Sequence, residues 1–312
     1  MTVAAVGLSH SPLIGKNDPA AEVLARVDEA VSNARQFVRD FDPELVVLYA
    51  PDHYNGFFYK EMPPFCLATE ATAVGDFGSQ AGPLSVDTGA ARAIAQGVLD
   101  RGVDLTISAR MVVDHGFVQP LEVLFDGIDQ VPVVPVFING VATPLGPISR
   151  IRALGTAIGE AAATLDKRVL FLASGGLSHD PPVPVLDGAP PRVADALIEG
   201  HPPTPEQRER GEQRVVQAGR DYAAGSAAMI PINPTWDNRL LDILQAGSLV
   251  ELDSWTVEEM GREGGGSAHE VRTWIAAFAS LAATGPYDVT SRFYEAIPEW
   301  IAGFAVASAV PR

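Results

Sequence analysis

The chain has 312 residues, of which 47% are apolar and 20% are charged, a composition typical of a globular protein with a sizeable core. Its net charge of −17, with no block of Lys or Arg, argues against nucleic acid or an anionic membrane surface as a partner. The single cysteine, Cys66, excludes an intramolecular disulfide and a thiolate metal cluster.

Short apolar runs alternate with longer stretches of helical periodicity. The runs predict strands at 3–8, 45–50, 105–113, 131–138 and 169–173. The periodic stretches predict helices at 19–41, 89–99 and 148–165, with a later helical face formed by Val271, Trp274, Ile275 and Phe278. This alternation predicts an α/β fold, with a largely parallel or mixed central sheet flanked by helices.

Residues 181–235 differ from the rest of the chain. PPVPVLDGAPP and HPPTPEQRERGEQR are rich in proline and charge, which predicts loops and a solvated helix on the surface. We therefore expect a single domain over residues 1–312 with one long excursion. The N-terminus has no basic region before a long apolar run, and no stretch has the length of a membrane span, so we expect a soluble, cytoplasmic protein.

The positions of the histidines are the most informative feature of the sequence. His10, His53, His115 and His179, four of the six histidines, each lie just beyond the end of a predicted strand. In a parallel sheet these ends share one edge, where α/β folds bind their ligands. A single histidine at such a place is more commonly a hydrogen-bonding loop residue, but the shared location predicts four imidazoles in one cleft at the C-terminal strand ends.

Four imidazoles exceed what a zinc site with an open position requires, which favours a division between metal ligands and proton carriers. A two-histidine iron(II) site takes one carboxylate as its third ligand, and Asp52, Asp114 and Glu270 are candidates. Asp52 and Asp114 each precede a histidine and are also candidates to orient it. Glu270 has an equal alternative, because Ser267-x-x-Glu270 is a capping box for the next helix. His269 is assigned to the helix start or to the surroundings of the metal.

Nine segments between Ser9 and Phe304 resemble the class III extradiol ring-cleavage dioxygenases. They are SHSPL, PDHYNGFFY, MPPFC, GDFGSQAG, VDHGFVQPLE, PVFINGVATPL, GGLSHDPPVP, INPTWDN and PEWIAGF. Each segment is a weak signal alone, but the whole set in this order is specific. The resemblance implies a non-haem Fe(II) oxidoreductase of aromatic catabolism that acts on a catechol and O2 and forms a homo-oligomer.

The resemblance also implies roles for individual residues. His10, His53 and Glu270 match the iron ligands, which favours ligation over capping for Glu270, and His115 and His179 match the acid–base pair. The implied substrate is 3-(2,3-dihydroxyphenyl)propanoate or 2,3-dihydroxycinnamate, opened beside the diol to 2-hydroxy-6-oxonona-2,4-diene-1,9-dioate or its triene analogue. We favour His179 as the base, because the glycines before it allow a close backbone approach, and the opposite assignment stays open.

The partners of the substrate's other groups are not singled out by the sequence. Tyr54 and Asn55, next to a predicted ligand, are candidates for substrate contact. The substrate carboxylate needs a cation, for which the candidates are Lys60, Arg110, Arg168 and Arg292. Aromatic residues that line the pocket, or pack in the core, are Phe57, Phe58, Tyr59 and Phe65.

Two other interpretations use the same histidines. A zinc-dependent hydrolase would use a metal-bound water as its nucleophile. A non-catalytic metal-binding protein would keep the fold without the reaction. Neither needs two further histidines for proton transfer, which favours the dioxygenase.

Overall fold

The computed structural model describes residues 2–312, whose strands form one large mixed sheet and one small sheet. The strands are β1 (Thr2–Leu8), β2 (Leu45–Ala50), β3 (Phe65–Ala68), β4 (Ala71–Val74), β5 (Ala81–Pro83), β6 (Thr106–Ser108), β7 (Met111–Val113), β8 (Val133–Ile138), β9 (Arg168–Ser174), β10 (Tyr287–Ile297) and β11 (Ala302–Pro311). The large sheet has the order β10-β11-β1-β9-β2-β8-β3-β6, and the small sheet has the order β5-β4-β7. The expected mixed α/β fold is confirmed.

The centre of the large sheet is parallel, and on each side the next strand runs against it. Strands β1, β9, β2 and β8 run in one direction, each beside the next. Strand β11 runs against β1 and β10, and β3 runs against β8. The carboxyl ends of the four parallel strands therefore lie on one edge, where loops of an open α/β sheet form ligand sites.

Helices cover both faces of the large sheet. The helices are α1 (Ala21–Phe41), α2 (Thr88–Asp100), α3 (His115–Phe125), α4 (Ile148–Ala162), α5 (Pro191–Glu199), α6 (Pro205–Ala223), α7 (Pro234–Ala246), α8 (Val257–Gly264) and α9 (Val271–Ala282). Val3 and Ala5 of β1 pack in the core with α2, α4 and α9, whereas Ala4 and Val6 pack in the core with α1 and α3. Because both faces are covered, the central strands are continuous apolar runs rather than alternating ones.

Helix α9 lies close against α4 because two glycines remove side chains from the contact. A Cβ atom at Gly155 would lie 2.3 Å from the Ala276 carbonyl oxygen, and one at Gly159 would lie 2.2 Å from that of Ser280. The Ser280 hydroxyl also contacts Tyr49 Oη of β2 at 2.6 Å. Helix α9 is thus fixed on the sheet, which matters because the residue before its first turn is Glu270.

Two regions differ from the sequence prediction. The single strand expected over 105–113 is wrong, because the chain bends at 109–110 and its two halves, β6 and β7, join different sheets. The antiparallel pair of β10 and β11 was not predicted. The apolar stretch IAGFAVASAV lies almost entirely in β11, where it is buried between β1 and β10.

The segment 181–235 contains α5 and α6, which lie over the carboxyl edge of the large sheet. Among the residues of these two helices only Leu197 and Gly219 are buried. The division of the chain into one domain with an excursion stays a prediction. Within residues 2–312, no helix combines the length and the apolar character needed to cross a membrane.

Candidate active site

Three of the four histidines follow neighbouring parallel strands. His10 follows β1, His53 follows β2 and His179 follows β9, and these strands are adjacent in the order β1-β9-β2. His115 comes from elsewhere: it is the first residue of α3, after β7 of the small sheet. The expectation that all four follow strands of one parallel sheet is therefore wrong for His115, although its side chain reaches the same place.

The imidazole rings of His10, His53, His115 and His179, here called the imidazole cluster, converge at this edge. The ring centroids of His10 and His53 are 5.5 Å apart, those of His10 and His115 are 5.4 Å apart, and those of His53 and His115 are 4.6 Å apart. His179 joins the cluster through the carboxylate of Glu270, which lies 3.1 Å from its Nε2 atom. All of these side chains line one cavity.

The Glu270 carboxylate contacts three of the imidazoles. Oε1 lies 3.1 Å from Nε2 of His53, Oε2 lies 3.6 Å from Nε2 of His10, and Oε2 also accepts the Gly176 amide at 3.0 Å. Burial raises the pKa of Glu270, but the neighbouring imidazoles, led by that of His179, outweigh burial and hold the pKa well below its usual value. This carboxylate is therefore an anion enclosed by ring nitrogens.

The capping-box alternative for Glu270 is wrong. Ser267 makes no side-chain cap, and its amide donates to the His179 carbonyl instead of the Glu270 carboxylate. The Glu270 amide donates to the Ser267 carbonyl at 3.0 Å, which closes the short turn Ala268–Glu270. The side chain is thereby free to point at the imidazole cluster.

The Nδ1 sides of His10 and His53 are already occupied. The Ser174 hydroxyl donates to the Gly116 carbonyl, so that it accepts from His10 Nδ1 at 2.9 Å. The Asp114 carboxylate accepts from His53 Nδ1 at 3.1 Å. With a proton on each Nδ1, both Nε2 atoms of the neutral rings direct a lone pair toward Glu270, the orientation that second-sphere partners impose on metal-bound histidines.

This donor set fits a divalent cation. Two imidazole lone pairs and a carboxylate facing one another repel unless a proton or a metal ion lies between them. Burial lowers the pKa of His10 to about 3, whereas at His53 the effect of burial is outweighed by Asp114 and Glu270, which raise the pKa well above its usual value. One nitrogen each of His10, His53 and His115 also lies within 4.8 Å of the others. These side chains could therefore hold a metal ion, and imidazole with carboxylate is a donor set that suits iron(II).

The remaining two histidines have different Nδ1 partners. His115 Nδ1 bonds to Asp76 Oδ2 at 2.5 Å, and Asp76 Oδ1 accepts the His115 amide at 2.9 Å. His179 Nδ1 donates to the backbone carbonyl of Leu177 at 2.8 Å. Burial lowers the pKa of both rings, but carboxylates, Asp76 for His115 and Glu270 for His179, outweigh burial and raise it.

The two acidic residues that precede histidines have different hydrogen-bond partners: Asp114 bonds His53 directly, whereas Asp52 bonds the backbone of the turn that follows His53. Asp114 Oδ2 accepts the amide and Nδ1 of His53 as well as Asn55 Nδ2, whereas Oδ1 accepts the Gly116 amide at the start of α3. Asp52 bonds the amides of Asn55, Gly56 and Phe57 and so shapes the turn after β2. Asn55 lines the cavity, and Asp52 holds Asn55 in place by accepting a hydrogen bond from its backbone amide.

Two other candidates lie outside the cavity lining. Tyr54 stacks on Tyr59 with ring centroids 6.0 Å apart and adopts a positive φ of 59°. His269 is buried beside Arg272, and burial lowers its pKa to about 4. Neither residue is among those that line the cavity with the imidazole cluster in the part of the chain that the structure describes.

Asp76, Ser174 and Asp237 were missed by the sequence reasoning. Asp76 lies two residues beyond β4, and Ser174 ends β9, so both have the strand-end location that singled out the histidines. Asp237, on α7, accepts the amide and hydroxyl of Ser178 at 2.7 Å and the Tyr294 hydroxyl at 2.7 Å, which fixes the turn before His179. No local signal marks Asp237, because its partners are more than fifty residues away.

The candidate cations for a substrate carboxylate are wrong. Each forms an ion pair away from the cavity: Lys60 with Glu199, Arg110 with Glu70, Arg168 with Asp42 and Glu44, and Arg292 with Asp242. The cavity has a volume of about 1360 Å³ and is bounded on one side by α5 and α6. These two helices are here called the arginine wall, because they contribute four arginines to the lining: Arg192, Arg208, Arg210 and Arg214. These residues lie in the segment 181–235 that the sequence assigned to solvated surface.

For Phe57 and Phe65, of which the sequence left open whether they line the pocket or pack in the core, the structure shows packing. Phe57 stacks on Phe137 with centroids 3.9 Å apart, and Phe65 is buried in β3. The aromatic side chains that line the cavity are Phe77, which meets the His115 ring edge-on at 5.2 Å, and Trp300. Phe57 and Phe65, which follow His53 in the chain, thus pack against other residues of the protein. The aromatic contacts in the cavity come instead from Phe77 and Trp300, which are distant from His53 in sequence.

The chain matches the family described as the catalytic LigB subunit of aromatic ring-opening dioxygenase over residues 4–305. It is 57% identical over 310 residues, 99% of either chain, to a Rhodococcus sp protein named 2,3-dihydroxyphenylpropionate/2,3-dihydroxicinnamic acid 1,2-dioxygenase. A protein of the same name from Mycolicibacterium paratuberculosis is 54% identical over 312 residues, 100% of both chains. An uncharacterized protein from Escherichia coli K12 shares the fold, with a TM-score of 0.50 over 98% of each chain at 13% identity.

Proposed function

Because the chain belongs to the family of catalytic LigB subunits of aromatic ring-opening dioxygenases, we propose that it opens 3-(2,3-dihydroxyphenyl)propanoate or 2,3-dihydroxycinnamate beside the diol. Iron(II) is the proposed metal, and O2 is the co-substrate. The relatives that match almost the full length of the chain carry both substrates in their name. The product is 2-hydroxy-6-oxonona-2,4-diene-1,9-dioate or its triene analogue.

The proposal is supported most directly by the donor set around Glu270. His10 and His53 direct Nε2 toward its carboxylate, and their Nδ1 atoms are held by Ser174 and Asp114. Two imidazoles and one carboxylate form the facial triad that non-haem iron(II) oxygenases use. His10, His53 and Glu270 are therefore the proposed ligands. When bound, iron(II) would take up both oxygens of the diol and carry electrons between the aromatic ring and O2.

His179 is the proposed general base for the diol. Its Nδ1 donates to the Leu177 carbonyl, so the neutral ring has its lone pair on Nε2, which faces the site. An imidazole in this tautomer can accept a proton from a catechol hydroxyl within hydrogen-bond reach. Asp237 supports this position, because it fixes Ser178, the residue before His179.

His115 is the proposed general acid. The Asp76 carboxylate at 2.5 Å from Nδ1 stabilises the imidazolium form, which can then donate a proton from Nε2 during ring opening. The two rings thus differ in the charge of their Nδ1 partner, a carboxylate for His115 and a neutral carbonyl for His179. This difference supports the assignment of opposite roles.

The zinc hydrolase and the non-catalytic binding protein are not favoured. Both would leave the Asp76–His115 pair and the oriented His179 without a task, and neither agrees with the family. Assembly as a homo-oligomer and location in the cytoplasm stay predictions. Sedimentation or light scattering of the purified protein measures the first, and a monomer at all concentrations would contradict it.

The test of the function is anaerobic. The purified protein is loaded with Fe(II), mixed with 3-(2,3-dihydroxyphenyl)propanoate and exposed to air, with Zn(II)-loaded protein as the matched control. We expect the Fe(II)-loaded protein to form a yellow product and take up O2, and the Zn(II)-loaded protein to do neither. A colourless solution without O2 uptake would contradict the proposal, and the same assay with catechol and protocatechuate ranks the substrates.

A further inference from the structure

The arginine wall presents guanidinium groups to the cavity that have no ion-pair partner among the described residues. Arg192, Arg208, Arg210 and Arg214 all line the cavity, and within residues 2–312 none of them forms an ion pair. The chain as a whole has a net charge of −17, so this group of four unpaired arginines is a local concentration of positive charge. Unpaired guanidinium groups around a cavity create a local potential that attracts an anion.

Arg208 differs from the other arginines of the wall in its position. Its side chain is half-buried, whereas those of Arg192, Arg210 and Arg214 are exposed. Its Nη1 atom donates to Asn55 Oδ1 at 3.4 Å, and Asn55 Nδ2 in turn donates to Asp114, the partner of His53. Two side chains, Asn55 and Asp114, therefore connect the guanidinium to His53, a proposed metal ligand.

The helix that carries Arg208 is fixed to the rest of the site. The amide of Phe77, next to Asp76, donates to Glu212 of α6 at 2.8 Å. Near the other end of α6, Asn17 Nδ2 donates to the Val216 carbonyl at 2.9 Å. Glu212 accepts this amide, Asp76 bonds His115 and Glu270 lies among the imidazoles, and none of these three acids of the cavity forms an ion pair with Arg208.

We propose that Arg208 binds the side-chain carboxylate of the substrate and thereby selects catechols that carry an anionic substituent. This inference rests on the proposed function and extends it to the specificity of the site. A guanidinium offers five donors in a planar fork, and a single long bond to Asn55 leaves most of them free for bidentate contact with a carboxylate. The other three arginines of the wall add attraction without direct contact.

The test compares Arg208→Gln with Arg92→Gln, which removes an exposed arginine of α2 outside the cavity lining. Two substrates are used: 3-(2,3-dihydroxyphenyl)propanoate and 3-propylcatechol, which lacks the carboxylate. Loss of a charge-assisted contact to a carboxylate lowers kcat/KM about 10- to 100-fold, mostly through KM. We expect this loss in Arg208→Gln for the acid alone, with 3-propylcatechol unchanged and Arg92→Gln like the unsubstituted enzyme.

Several results would overturn the inference. An equal loss for both substrates would mean that Arg208 acts only by supporting Asn55, and unchanged kinetics would mean that it does not contact the carboxylate. Arg208→Lys keeps the charge but loses the fork, and we expect an intermediate KM for the acid. If Arg208→Lys and Arg208→Gln had the same KM for the acid, a charge contact between residue 208 and the substrate carboxylate would be excluded.

A binding measurement separates this inference from the proposed function. Calorimetric titration with 3-phenylpropanoate, which has the carboxylate but no diol, needs neither metal nor turnover. We expect binding to the unsubstituted protein and to Arg92→Gln, and at least about tenfold weaker binding to Arg208→Gln. If the protein cleaved neither catechol but this difference held, the dioxygenase proposal would fail and the carboxylate site would stand; equal binding to all three proteins would overturn the site.

Discussion

The imidazole cluster and the arginine wall face each other across one cavity, but they are held in place by different means. The rings of the cluster lie at the ends of core strands or at the first turn of α3, and each has its own Nδ1 partner. The wall consists of α5 and α6, in which only Leu197 and Gly219 are buried and whose arginines form no ion pair in the described residues.

This difference agrees with the two tasks proposed for the cavity. Metal binding and proton transfer require groups held to a fraction of an ångström, which buried and hydrogen-bonded side chains provide. Recognition of a carboxylate on a flexible chain tolerates a long, solvated side chain, because the guanidinium can follow its partner. Changes in the cluster should therefore affect metal content and kcat, whereas changes in the wall should affect KM.

The largest effect is expected from Glu270→Ala. Glu270 contacts three imidazoles, and its removal takes away the proposed anionic ligand, so the variant should lose iron. Iron per chain is measured after gel filtration, with Glu258→Ala, an exposed acid of α8, as the matched control. A Glu270→Ala protein that retained one iron per chain would remove this carboxylate from the metal site.

The next effect is expected from His179→Gln, which should keep iron and lose turnover. Glutamine cannot take the proton that a general base must accept, and general acid–base catalysis contributes about 10²- to 10⁴-fold. Both kcat and iron content are measured in the same preparation. Turnover at the unsubstituted rate would exclude His179 from proton transfer, and loss of iron would indicate a ligand instead.

Asp76→Asn should have a smaller effect, with a characteristic pH dependence. Asp76 raises the pKa of His115 against the opposing effect of burial. Without its charge the pKa falls, so the acid form is lost at lower pH and the alkaline limit of kcat moves to lower pH. Because general acid–base catalysis contributes about 10²- to 10⁴-fold and His115 itself is retained, the fall in kcat should be smaller than that for loss of a catalytic histidine. An unchanged alkaline limit would contradict the role of His115 as the acid.

A substitution in the arginine wall that leaves its arginines in place should have a still smaller effect on activity. Thr204 and Gln207 form a capping box at the first turn of α6, and Thr204→Ala removes a cap that contributes about 1 kcal/mol. Fraying of this turn displaces Arg208, so KM for the acidic substrate should rise by at most about fivefold. Metal content and kcat should not change. A fall in iron content would show that the wall also supports the cluster.

The smallest effect is expected for alkylation of Cys66, which lies in β3 of the large sheet. Cys66 of β3 is buried, and burial raises the pKa of its thiol to about 12, so at pH 8 almost no thiolate is available for alkylation. A protease should cut the exposed segment 181–235 before iodoacetamide labels Cys66, as mass spectrometry of timed samples would show. Labelling that preceded cleavage would mean that the sheet opens more readily than the wall.

The sequence determined the elements that have a strong local pattern. The boundaries of β2 were predicted to the residue, and α1 to within two, because continuous apolar runs and helical periodicity are local properties. The placement of His10, His53 and His179 at strand ends followed from the same pattern. The strand expected over 105–113 failed because apolar periodicity does not reveal that the chain changes sheets at a bend.

Only the tertiary structure decided which of these elements meet. The adjacency of β1, β9 and β2 brings His10, His179 and His53 together, and strand order depends on the packing of whole faces rather than on local pattern. The Arg208–Asn55 contact spans 153 positions of the chain, and the His115–Asp76 contact spans 39. A proline- and charge-rich segment read as solvated surface therefore became a wall of the cavity, because burial and partners are set by contacts between residues far apart in sequence.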